Sequence, residues 1–94
     1  MQERVNKNKK HFISILGKII KQHRENLGKS IYLISAESSV PCSTWRDVKF
    51  GISSNLNLTN FYKISEGLYT PTHELLKELS DTSGKDFSFT ELNN

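Results

Sequence analysis

The sequence predicts an all-α fold of five short helices around one small core. Two observations carry that prediction. Apolar residues recur at spacings of three and four, as in Phe12, Leu16, Ile19 and Ile20, with His23 continuing the stripe. Stop and start residues also punctuate the chain at short intervals: Gly28 then Ser30, Gly51 then Asn57, and Thr70-Pro71. No internal repeat is visible.

Residues 1–11 are polar and rich in Lys and Asn, so a basic, flexible arm is expected there. The first helix follows over Phe12–Glu25. Gly17 weakens it by about 1 kcal/mol relative to Ala, but lets a neighbouring helix approach closely. Asn26-Leu27-Gly28 stops it, with Gly28 suited to a left-handed cap. Ser30 is an N-cap for a short helix over Ile31–Ser38. A tight turn follows, then Pro41 at the first helical position and a third helix from about Cys42 to Lys49. Trp45 and Val48, three apart, face the core, and Phe50 is a further core contact or part of an interface.

Residues 52–56 read as a loop. Asn57 caps a fourth helix over Leu58–Leu68, with Leu58, Phe61, Ile64, Ser65 and Leu68 inward. Thr70 as N-cap and Pro71 at the first position start a fifth, whose apolar side is Leu75, Leu76 and Leu79. The domain is expected to span residues 12–80. Residues 81–94 form a polar tail in which Phe87 and Phe89 alternate with polar residues, a pattern for a short strand, a dimer contact or a disordered end.

With 94 residues the chain has room for one domain. No apolar run reaches the roughly 20 residues a membrane span needs, and the charged start lacks a signal peptide's apolar stretch. With a single cysteine, Cys42, the expectation is a cytoplasmic protein. The net charge of +3 is unevenly spread. Residues 1–30 hold eight Lys/Arg against two acids, a net +6, whereas residues 64–94 hold two against six, a net −4. Such a basic front suits a polyanion, or a solvated basic tail.

No catalytic constellation is visible. His11, His23 and His73 are scattered without ligand spacing, so no metal is expected. Neither a phosphate loop nor a nucleophile elbow is present, and no cofactor is implied. Cys42 at a helix start could be an activated thiol, but no base neighbours it in sequence. The chain reads as a binding module rather than an enzyme.

Two short helices joined by a tight turn make a helix-turn-helix layout. Between Leu16 and Leu79 the chain resembles the lambda-repressor-like (Cro/repressor, XRE-type) DNA-binding family. Leu16-Gly17-Lys18 with Ile20 and Arg24 looks like the family's first helix, and Ser30 to Ile34 like the start of its second. The run from Val40 to Val48 looks like the turn and recognition helix, followed by Gly51. Leu56, Leu58, Tyr62-Lys63-Ile64 and Leu68 look like the fourth helix, and Glu74-Leu75-Leu76 like the fifth. Three positions depart. Ile31 stands where the family has a DNA-contacting Gln, and Ser39 where the turn has a small residue or Gly. Lys49 stands where a Glu pairs with the first-helix Arg, here Arg24. Arg24 must then turn to solvent, to Asp47 or to a backbone carbonyl.

The resemblance places Cys42, Ser43, Thr44 and Asp47 at base-facing positions. Hydroxyls can bond base edges, the Thr methyl suits thymine, and Asp47 could accept from a cytosine amino group. Asp47 could equally pair with Arg46. Arg46 is assigned to phosphate, as are Lys29 and Ser30 at the start of helix two. Ser53, Ser54, Asn55 and Lys63 complete the phosphate set, and Lys7, Lys9 and Lys10 could wrap the duplex as an arm. All of these also suit solvated surface. The expected function is that of a sequence-specific double-stranded DNA-binding regulator of repressor type. It would act as a homodimer with its third helix in the major groove. The alternative is a protein-binding module on the same fold, such as the antitoxin of a toxin–antitoxin pair.

Overall fold

Helix α1 spans Gln2–Asn26, so it starts ten residues before the apolar stripe does. It belongs to a computed structural model that describes residues 2–51 and 56–84, with side chains from residue 7. Four more helices follow: α2 (Ile31–Ser38), α3 (Cys42–Lys49), α4 (Leu58–Gly67) and α5 (Thr72–Ser83). The described residues include no strand. The proposed strand or dimer contact at Phe87 and Phe89 lies outside them, as do Ser53, Ser54 and Asn55, while residues 81–83 belong to α5 rather than to a tail.

The flexible arm expected over residues 1–11 is therefore corrected: from residue 2 it is helix. Residues 2–16 contain neither Gly nor Pro. Once Ile13, Leu16, Ile19 and Ile20 are buried and fix the helix, each upstream residue adds a hydrogen bond without a new nucleus. Gln, Glu, Arg and Lys are good helix formers, so polarity alone does not end it.

Local chemistry sets the next boundaries. Gly28 takes φ +69°, and the Lys29 N–H turns back to the Arg24 carbonyl at 3.3 Å. Ser30 Oγ accepts from the Leu33 N–H at 3.1 Å, which caps α2. The turn to α3 bends without glycine, through Ser39 at φ 62°. Ser38 Oγ steadies it by accepting from the Val40 N–H (3.3 Å) and Trp45 Nε1 (3.2 Å), while Ser35 Oγ donates to the Val40 carbonyl (2.8 Å).

Pro41 and Pro71 precede their helices instead of occupying the first helical position. Their ψ values of 149° and 140° are extended, and their carbonyls accept the first helical bonds. Thr70 is thus one residue too early to cap α5, and its Oγ1 donates to the Leu68 carbonyl at 3.2 Å. Asn57 does cap α4, accepting from the Asn60 N–H at 2.8 Å. Leu58, expected inward, is 76% exposed because the apolar face of α4 starts only at Phe61. Phe50 is exposed as well, so it is no core contact.

The core joins all five helices through Leu16, Ile20, Ile34, Trp45, Ile64 and Leu75. α1 packs against α3 and α5, α2 against α3 and α4, and α4 against α5. Buried Ser65 is satisfied by the Tyr62 carbonyl (2.7 Å) and Thr72 Oγ1 (2.6 Å). Gly17 is the point of closest approach: a Cβ there would collide with the Val48 carbonyl oxygen of α3.

Gly17→Ala tests that contact. Helix propensity favours Ala by about 1 kcal/mol, but overpacking against backbone costs about 1–3 kcal/mol. Net destabilisation of up to about 2 kcal/mol is expected in urea unfolding. A more stable variant would refute the close approach.

Candidate nucleic-acid interface

Helix α3 has two unlike faces because its apolar residues fall at helical spacing. Thr44, Trp45 and Val48 are buried. Ser43, Arg46, Lys49 and Phe50 are exposed or partly so, and Cys42 and Asp47 are half-buried. Ser43, Arg46 and Phe50 share one outer stripe at spacings of three and four. The three-residue turn from α2 holds this helix at the surface with Trp45 as its anchor.

One of the four base-facing assignments is overturned. Thr44 is 3% exposed and packs inward beside Trp45, so neither its hydroxyl nor its methyl group is available to a base. Cys42 and Asp47 retain partial exposure, and Ser43 is open.

The phosphate set is dispersed. Arg46 is exposed on the outer stripe, while Lys63 is half-buried on α4. Ser30 has its hydroxyl committed to the cap of α2. Lys29 is already partnered: its Nζ donates to Glu37 Oε1 at 2.5 Å and to Tyr69 Oη at 3.3 Å, and lies 4.6 Å from the Tyr69 ring centroid. The bond to Glu37 is the main cause that raises its pKa above the ordinary 10.5. Lys7, Lys9 and Lys10 are exposed on a helix, not on a flexible arm.

Arg24 finds the backbone carbonyl among its possible partners: Nη1 donates to the Lys29 oxygen at 2.7 Å. It lines a shallow crevice between α1, α2 and α3 together with Lys21 and Lys49. The sequence pairs Arg24 with Lys49 but does not single out Lys21. The available signal is position: Lys21 and Arg24 lie four and seven residues after Gly17, on the α1 face that meets α3.

Elsewhere, His23 Nε2 meets Glu78 Oε1 at 2.7 Å and links α1 to α5. Among the described residues no three His, Cys, Asp or Glu are grouped as a metal site, and no helix is long and apolar enough to cross a membrane. No protein-family model matches the chain, and no curated protein or solved structure matches it significantly.

The Lys29 pair yields a pH prediction. A raised lysine pKa means the pair holds below 10.5 and is lost as pH rises through the higher folded value. Glu37→Gln should bring the Lys29 titration, followed by NMR of its side chain, back toward 10.5. An unchanged midpoint would show that Glu37 is not the cause.

Proposed function

We propose that the protein is a duplex-DNA-binding regulator of the lambda-repressor-like kind, acting as a homodimer with α3 in the major groove. The two-faced α3 carries this reading. Its inner face is anchored by Trp45 and Val48, and its outer face presents Ser43 and Arg46. A helix about 10–12 Å across fits a major groove about 12 Å wide. The N-terminal 30 residues add a net +6. The short pair α2–α3, joined by a three-residue turn, is compatible with a helix-turn-helix, and Arg46 is an exposed cation on the outer stripe of α3.

Dimerisation is assigned to an apolar groove lined by Phe12, Leu58, Phe61, Leu76 and Leu79. A second copy is its occupant on grounds of charge. The α1 wall continues into a basic start with Lys7, Lys9 and Lys10; the α5 wall is net acidic, with Glu74 exposed beside Glu78 and Asp81, which pair with His23 and Lys77. A two-fold contact can set these unlike charges opposite each other. The exposed Tyr32, at 80%, and Phe50, at 69%, favour the second reading, a protein-binding module. A stoichiometric co-purifying protein and no duplex affinity would establish that one instead.

Selection of duplexes from a random pool tests the first reading. The expected product is a palindrome with half-sites about 34 Å apart. Arg46→Ala should weaken binding across sequences and reduce the log–log salt slope by about 0.9, while Thr44→Val should leave affinity unchanged. Absence of salt-sensitive binding to any duplex would overturn the proposal.

A further inference from the structure

Three cationic residues, Lys21, Arg24 and Lys49, line one crevice where α1 packs on α3. The crevice there is lined by Gly17, Ile20, Lys21, Arg24, Ile31, Trp45 and Lys49, and no carboxylate is among them. Lys21 and Lys49 enter no ion pair among the described residues. Lys49 lies over the Phe50 ring at 5.5 Å, an interaction that leaves its charge uncompensated. Arg24 is held in place by the Lys29 carbonyl, and its guanidinium has five N–H donors, so one bond leaves others open.

The opposing charge nearby is small. The C-termini of α1 and α3 each present about half a negative charge, together about one against three cations. The neighbouring Lys29 does not add to the excess because Glu37 compensates it. The crevice floor is apolar, through Ile20, Ile31 and Trp45, so the lining side chains offer an anion no competing acceptor.

We propose that the mouth of this crevice, which is itself too narrow to admit a phosphate, is a phosphate-binding site, with the exposed Lys21 and Lys49 supplying charge and Arg24 a preorganised donor fork. A phosphate group matches because it accepts from several donors at once and offers a bidentate edge to Arg. The phosphate could belong to a duplex backbone, an assignment that rests on the function proposed above, or to a free phosphate compound. The site itself rests on the crevice alone.

The test uses the full chain, the double variant Lys21→Gln/Lys49→Gln, and Lys49→Glu. Both lysines are exposed, so folding should survive; circular dichroism checks it. Thermal unfolding is followed in inorganic phosphate and in chloride at matched ionic strength. General salting effects act on every variant alike, so the readout is the extra shift in the unaltered protein. Phosphate should raise its midpoint more than that of the double variant. Lys49→Glu, which can pair with Arg24, should raise the midpoint in chloride and abolish the phosphate response. Duplex binding, measured against salt, should show a slope lower by about 0.9 in the double variant, the value for one phosphate fewer neutralised.

A phosphate response without a change in slope keeps the site and assigns it to a free phosphate compound. A change in slope without a phosphate response assigns it to duplex backbone. Equal phosphate responses in all three proteins with unchanged slopes overturn the proposal. If no duplex binds at all, the regulatory function fails and the phosphate response alone decides the site: a response specific to the unaltered protein supports it, and its absence overturns it.

Discussion

Gly17 against the Val48 carbonyl sets the distance between α1 and α3, and the outer surface follows from that distance. With a side chain at position 17, α3 would have to move outward or tilt. That shift would strain the packing of Trp45, whose Nε1 donates to Ser38 Oγ at 3.2 Å. That bond steadies the turn between α2 and α3, so the same close approach controls how the short helix pair is joined. Gly67 provides a second such point, where an added Cβ would press on Ser38. Two glycines therefore fix the α2–turn–α3 unit from opposite sides, and an eight-residue helix, too short to be stable alone, is held in one orientation.

Close packing also concentrates charge. Lys21 and Arg24 ride on the α1 face that Gly17 brings to α3, and Lys49 ends α3 at the same place. A glutamate at position 49 would cancel part of this cluster internally; lysine adds to it. Compensation is used instead at Lys29, through Glu37, and at Lys77, where Asp81 at 2.9 Å raises the lysine pKa. Positive charge is thus left unpaired at the junction of α1 with α3, as it is along the start of α1, whereas Lys77 on α5 is paired.

The parts of the fold legible in the sequence are those governed by neighbouring residues. Ser30 and Asn57 cap because their side chains reach the N–H three residues on, and Gly28 turns because it alone adopts a positive φ freely. Trp45 and Val48 declare their burial by spacing. Thr44 does not: it lies next to the apolar stripe, and polarity argues for the surface while geometry puts it inside. The early part of α1 is hidden for the converse reason, since its helicity comes from packing further along the chain rather than from apolar residues of its own. The Lys29–Glu37 pair spans eight residues across a turn and obeys no helical spacing rule. Lys21 becomes informative only once α3 is known to lie against Gly17.

The burial of Thr44 bears on how the proposed regulator could be selective. A good base contact discriminates by about 1–3 kcal/mol, and specific sites exceed non-specific ones by about 4–10 kcal/mol. Of the base-facing residues that remain, Ser43 is exposed and Asp47 partly so, while Cys42 is a weak donor, so one copy supplies about two such interactions, about 2–6 kcal/mol. That range barely reaches the lower part of what is needed. Two copies on adjacent half-sites double it to about 4–12 kcal/mol, which covers the requirement, provided the two half-sites act independently. Selectivity would then depend on the two-fold interface as much as on α3. The basic face of α1 and its crevice would hold the duplex irrespective of sequence, and the second copy would make the reading specific.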